Sequence, residues 1–335
     1  MLLGIISILS VSNFFVGILS DTIYYGSSKS ILSLFPYAIL LCASYVIAKK
    51  LRRDELKILL YLICFEIFVG VVEYAIGVPS LFGMSDDLEF GGEEGLLYNK
   101  RVAGLSSNSS VLALKCLFGL FLIEILHIKN KFFFIGIILV GFFVTFNRTY
   151  LFSAFPILGW IFYVDILKRR VGLAVLIVVL LSILLVPFIP FLFAQFLRGN
   201  DLENITYIAS GRDIVYQEFW DFFQNHFWRG NSSVKLWMVL RGGDIYHAHS
   251  SFLMTLASNG VLISLLYLYV YIKNINKSNW IYGMCMCLAS ITQYTIGWGL
   301  AFPDIICFWV LFCSLDRYSY SKFIHNSKYD SCCCK

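Results

Sequence analysis

The chain has 335 residues, of which 59% are hydrophobic and only 14% charged, and its mean hydropathy is +0.76. Soluble domains carry roughly 25% charged residues, so the composition excludes an ordinary soluble globule and points to a polytopic membrane protein. The formal net charge of +5 falls mostly on one set of loops, so it reports topology, and no nucleic-acid partner is expected.

A bilayer crossing needs about 20 apolar residues. Ten candidate runs follow in chain order, near 2–20, 30–48, 58–78, 105–126, 132–146, 149–167, 171–193, 250–272, 280–297 and 302–316. They are continuously apolar instead of alternating, which predicts helices and not a barrel. The expected fold class is therefore an all-α polytopic membrane protein of about ten transmembrane helices, one integral membrane domain over 1–335. The first run lacks a basic leader and a small-residue cleavage site and reads as a retained span. The third carries Glu66 and Glu73 on one face, and the fourth carries Lys115 at a depth close to Glu66. Intramembrane ionisable groups are functional candidates by default, which opens a transporter reading; an ion pair joining two helices is the preferred account. Between these runs, the outer loop 79–104 holds the acidic group Asp86, Asp87 and Glu89, either hard-oxygen metal ligands or a solvated surface, and then Arg101. The stretch from Lys131 to Lys168 is too long for one crossing and "FNRTY" interrupts it, so a hairpin with Arg148 at its tip is expected.

Lys and Arg concentrate in 49–57, 127–131, 168–170, 273–277 and the tail after Leu315. The positive-inside rule makes that side cytoplasmic, with both termini inside. The opposite side then receives 79–104, the Arg148 tip and one large loop, 194–249. The ten cysteines show no paired spacing in the outer loops and read as thiols. The terminal "CCCK" is a poor prenylation box because of its last residue. The N-x-S/T matches at Asn108, Asn147, Asn204 and Asn231 are of a kind that is frequent by chance. No zinc pattern, no phosphate-binding glycine loop and no internal repeat is present.

Within the large loop, "SGRDIVYQEFWDFF" (210–223) starts at Ser210, a plausible N-cap with Asp213 three residues on. Val215, Phe219, Phe222 and Phe223, then His226 or Phe227, recur at helical spacing opposite Asp213, Gln217, Asp221 and Gln224. An amphipathic helix on the outer membrane surface is expected. Arg212 then falls in its first turn, where free backbone N–H groups favour an anion and a guanidinium adds a two-point grip on phosphate. Taken alone, such an arginine reads as one snorkelling to ordinary lipid head groups. The topology, however, puts Arg101, Arg148, Arg212 and Arg241 all on the outer face, a set suited to a polyanion such as pyrophosphate. "IYHAHSSFLMTLASNG" (245–260) follows, with His247 and His249 at the threshold of the eighth span; a histidine beside an anion site is a candidate general base. An interfacial histidine bonding backbone or water is the alternative for either residue. Tyr216, Phe219, Trp220 and Trp228 offer aromatic faces for sugar or lipid, though such residues are also ordinary belt residues.

"RVAGLSSNSS", "FNRTY", "SGRDIVYQEFW" and "YHAHSSFLMTLASNG" occur in the order and topology that resemble the O-antigen polymerase and O-antigen ligase superfamily of bacterial surface-glycan assembly. The resemblance covers roughly residues 95–275. It implies a GT-C-like membrane fold with a large periplasmic loop, both termini cytoplasmic, in the bacterial inner membrane. It implies metal-independent glycosyl transfer without a cofactor. The donor and acceptor would be undecaprenyl-pyrophosphate-linked oligosaccharides in membrane lipid, with a chain-length regulator as protein partner. Pyrophosphate binding is carried onto Arg148, Arg212 and Arg101, and the family histidine onto His249; Arg241, His247, Tyr216 and Trp220, read from their position on the outer face, are expected as further substrate contacts. Where the family has Asn after that histidine this chain has Ser250, and in place of a Gly-rich turn it has "WRGNSS". The chain's compactness and divergent histidine motif lean toward a polymerase; a ligase that moves finished glycan onto lipid A core is the alternative, and a sugar transporter is the alternative of another class.

Overall fold

The structure is a computed structural model and describes residues 2–24, 35–82, 101–168, 171–172, 175, 212–239 and 245–313. It is mostly helical, with almost no strand, and packs as two compact units, Met1–Leu51 with Ile214–Lys335, and Arg52–Asp213. Among the described residues, four helices are long and apolar enough to cross a membrane. Helices occupy nine of the ten apolar runs; the seventh, 171–193, lies almost entirely outside the described residues, as does Asn204.

The second unit contains α3 (Arg53–Ile76), α4 (Ser109–Ile125), α5 (Lys131–Thr145) and α6 (Arg148–Phe162), the last continued by a π-helical turn, Tyr163–Leu167. α4 is apolar around most of its circumference and is buried on nearly every side, as expected of a central helix. Glycines set the close approaches here. A Cβ on Gly119 would stand 2.6 Å from Ile138, and one on Gly141 would stand 2.6 Å from Cys116 and 2.9 Å from Ile67. The expected hairpin is present. Phe146 ends α5 at φ 40°, and the Asn147 side chain accepts from Tyr150 N at 3.2 Å to start α6 at Arg148.

The expected Glu66–Lys115 ion pair is formed, with Nζ–Oε2 at 2.7 Å and both side chains largely buried. At the other end of the unit Lys131 bridges Glu124, at 3.6 Å, and Asp165. Losing one partner of such a buried pair costs about 3–5 kcal/mol, because the charge left behind is uncompensated.

The first unit contains α1 (Leu2–Leu19), α2 (Tyr37–Lys50), α7 (Arg212–Asn225, from Ile214 onward), a two-residue hairpin of β1 (Met238–Val239) and β2 (Ile245–Tyr246), α8 (Ser251–Asn274), α9 (Trp280–Thr292) and α10 (Phe302–Phe308) with a π-helical continuation, Trp309–Cys313. α9 and α10 are shorter than one crossing requires. The reason lies in 293–301, which unwinds so that its backbone bonds to side chains. Ser251 Oγ accepts from Thr295 N at 2.9 Å and Ile296 N at 3.1 Å, and the Asp304 carboxylate accepts from Gly297 N at 2.5 Å and Gly299 N at 2.9 Å.

α8 is broken at Gly260, whose φ 73° and ψ 176° are not helical. The "WRGNSS" turn fills the break. Asn231 N donates to Ala257 O (2.8 Å), Ser233 N to Ser258 O (2.9 Å) and Val261 N to Phe227 O (2.9 Å), so the turn supplies the partners the broken helix lacks. No side chain fits at the crossing: a Cβ on Gly260 would lie 2.2 Å from Trp228 O, and one on Gly230 would lie 2.5 Å from Gly260 N. Asn231 is fully buried and holds the Tyr24 backbone through both ends of its amide, at 2.7 and 2.8 Å. It is thus a structural residue and no glycan acceptor. Asn108 and Asn147 serve as helix caps. Cys42, Cys64, Cys116, Cys285, Cys287 and Cys307 are free thiols, as expected.

Candidate functional site

Two groups of predicted residues are gathered, one in each unit. In the first unit, α7 forms as the periodicity predicts, with Val215, Phe219 and Phe223 buried. Its apolar face does not lie on lipid, however. It packs, through Val215 and Phe219, on Leu236, Ala248, Met254, Ala257 and Tyr294, because the extended stretch 234–239 and the start of α8 present apolar side chains to it. His226 and Phe227 fall beyond the helix and are exposed, His226 stacking on Phe222 at 4.2 Å between centroids. Trp220 is 46% exposed at the edge of the buried face of α7, its ring centroid 5.4 Å from that of Phe223. Ser210, the expected N-cap, lies outside the described residues, as does Arg241.

His247 and His249 come together at the head of α8, with ring centroids 4.8 Å apart. His249 precedes Ser250, and Ser250 is the N-cap of α8: its Oγ accepts from Leu253 N at 3.4 Å and donates to Ser290 O at 3.3 Å. Ser250 therefore performs a capping task to which short polar side chains are suited. Tyr216 OH reaches the His249 carbonyl at 3.4 Å and the Thr292 carbonyl at 3.5 Å, long contacts that place the α7 phenol beside the histidine pair.

The same place holds residues that the sequence reading passed over. The His247 ring lies 5.5 Å from Trp237, 5.4 Å from Tyr294 and 5.4 Å from Trp298. Tyr294 and Trp298 stack at 4.1 Å, and Lys235 Nζ sits 4.4 Å over Trp298 and 5.1 Å over Tyr294 while donating to Trp298 O at 3.0 Å. Burial pushes the Lys235 ammonium down to about 8, against the opposing pull of Asp304. Two signals were available: Asp304 is an ionisable residue within an apolar run, and "GWG" (297–299) marks a tight turn, with Gly297 and Gly299 at φ 87° and 99°.

In the second unit, Arg148 opens α6 and Arg101 lies in the segment leading to α4. Val102 N donates to Val144 O at 3.2 Å, which fastens the Arg101 segment to the end of α5, four residues before Arg148. Asn147 Nδ2 donates to Ser110 Oγ at 2.9 Å, tying the start of α6 to the start of α4. Two helix N-termini, each capped by an asparagine, thus lie at the end of the unit that carries both arginines, and the positive ends of their dipoles reinforce the guanidinium charge. Arg212 is the first residue of α7 and half-buried. Asp86, Asp87 and Glu89 lie outside the described residues, and among the described residues no group of three His, Cys, Asp or Glu side chains is arranged to hold a metal ion.

Comparison with protein-family models, with curated proteins and with solved structures gives no match.

Proposed function

We propose that the chain is an O-antigen repeat-unit polymerase of the inner membrane, which joins polyprenyl-pyrophosphate-linked oligosaccharides on the periplasmic side. The observation that carries the reading is the pairing of His247 and His249, 4.8 Å apart, at the head of a helix long enough to cross a membrane. The paired location of Arg101 and Arg148 beside two helix N-termini supports it.

In this reading an acceptor hydroxyl attacks the anomeric carbon of the donor. The new C–O bond forms as the anomeric carbon–phosphate oxygen bond breaks, and the electron pair leaves with the polyprenyl pyrophosphate. His249 takes the hydroxyl proton. Arg148, Arg212 and Arg101 stabilise the charge growing on the pyrophosphate, as preorganised donors do in oxyanion sites. Tyr216 and His247 hold the His249 segment, and Trp220 and Arg241 are assigned to the glycan. The donor must arrive already activated on lipid, since nucleotide sugars are not supplied outside the cytoplasm.

The site requires a defined orientation. In a cysteine-free background, a single cysteine at exposed Trp228 is expected to react with an impermeant thiol reagent applied from outside, whereas one at exposed Asp54 reacts only after permeabilisation. Labelling of position 54 in sealed cells would invert the topology and remove the proposed site from the periplasm. The activity itself is tested with purified protein in lipid nanodiscs given lipid-linked repeat units. A ladder of products supports the polymerase; no ladder, but a single transfer once lipid A core is added, makes the protein a ligase.

A further inference from the structure

We infer that Glu73, Glu66 and Lys115 form a clamp that fixes the 101–106 turn and thereby act as positioning residues for Arg101. The inference rests on the reading above, in which Arg101 contacts pyrophosphate.

The Glu66 and Glu73 carboxylates of α3 are engaged by the backbone or side chains of the segments around α4. Glu73 is fully buried; its Oε2 accepts from Gly104 N at 2.7 Å and its Oε1 accepts from Leu81 N at 2.9 Å. Glu66 accepts from Ser106 Oγ through Oε1 and from Lys115 Nζ through both oxygens, at 2.9 and 2.7 Å. One helix therefore grips the turn at 104 and at 106, and Lys115 neutralises the grip from α4. A third hold comes from Ala103 N, which donates to Pro79 O at 3.2 Å, and a fourth from Val102 N on Val144 O. Val102 and Ala103 are fully buried between these bonds.

The turn is also fixed sterically. Gly104 has φ +61°, and a Cβ there would lie 3.1 Å from Glu66 O and 3.2 Å from both Glu66 Cγ and Leu112 Cδ2. Only Val102 and Ala103 separate Arg101 from this point, so the direction in which the chain leaves the clamp sets where Arg101 stands. A carboxylate that accepts two backbone N–H groups, or an ammonium and a hydroxyl, is committed to holding structure. That is a different occupation from carrying protons or ions through a membrane, where the group must exchange partners.

The test uses the full-length protein in nanodiscs and inorganic pyrophosphate as the probe, with the dissociation constant measured on the folded fraction. Three variants are compared with the unaltered protein: Arg101→Ala, Glu73→Gln and Gly104→Ala. Gln can accept from only one of the two N–H groups, while Gly104→Ala leaves every carboxylate in place and disturbs the turn itself. All three are expected to weaken pyrophosphate binding about tenfold or more, the loss of one charge-assisted contact. Lys115→Arg, which keeps the ion pair, should bind nearly as well as the unaltered protein. A purely structural role would lower the amount of folded protein and leave its affinity unchanged. If Arg101→Ala weakens binding but Glu73→Gln and Gly104→Ala do not, the clamp inference is overturned alone. Unchanged affinity in Arg101→Ala would instead withdraw Arg101 from the anion site, and the clamp's positioning role with it.

Discussion

Replacing His249 by alanine is expected to cut turnover by roughly 100- to 10,000-fold, the usual contribution of a general base, while leaving binding of the lipid-linked donor intact. Turnover measured per folded protein makes this a test of chemistry and not of folding. The cap of α8 belongs to Ser250, and the stitching of the unwound 293–296 stretch belongs to Ser251. Neither uses the His249 ring. His247 lies 4.8 Å away between Trp237, Tyr294 and Trp298, so His247→Ala should have a smaller effect, and the double variant should fall furthest. Single-turnover measurements with saturating donor separate the chemical step from binding; turnover within threefold of the unaltered protein in His249→Ala would remove it from the mechanism.

Arg148→Ala and Arg212→Ala are each expected to lower polymer formation about 100- to 1,000-fold, the range seen when one preorganised donor to a developing oxyanion is removed. Membrane insertion should be unaffected. Arg148 is the first residue of α6, but the helix is started by the Asn147 cap, and Arg212 begins α7, whose packing rests on Val215, Phe219 and Phe223. Lysine should rescue poorly at both positions, since a point charge cannot reproduce a planar two-point contact. Full activity in both Arg→Lys proteins would favour generic charge attraction over recognition of pyrophosphate.

Features encoded by local pattern were legible in the sequence. Apolar runs gave helix locations, "FNRTY" gave the α5–α6 corner, and the spacing of Val215, Phe219 and Phe223 gave α7 with its buried face. Glu66 and Lys115 were matched by depth alone, and they pair. What pattern could not supply was the partner of each face. An amphipathic stripe is the same whether lipid or protein covers it, so α7 read as a surface helix although it packs on 234–239 and α8. Apolar runs likewise do not reveal where a backbone unwinds. The 293–301 segment looks like the end of a span, yet it leaves the helix because Ser251 and Asp304 offer its N–H groups side-chain partners. Hence Lys235, Tyr294 and Trp298, which meet His247 only through that unwound segment, escaped a reading based on periodicity. "WRGNSS" is the complementary case. Read as a departure from a Gly-rich turn, it proves to be the plug of the α8 break, with Gly230 and Gly260 in contact too close for any side chain.

In the proposed polymerase, glycosyl transfer runs on arginine and histidine side chains, without a metal and without an ion gradient. It is tested most directly by giving purified protein in nanodiscs lipid-linked repeat units in the presence of a strong chelator and following product length. The expected result is a ladder of lengthened glycans that forms at a rate unchanged by the chelator and is lost in His249→Ala. Growth that stops with chelator and returns with added divalent cation would contradict it and move the chemistry to Asp86, Asp87 and Glu89.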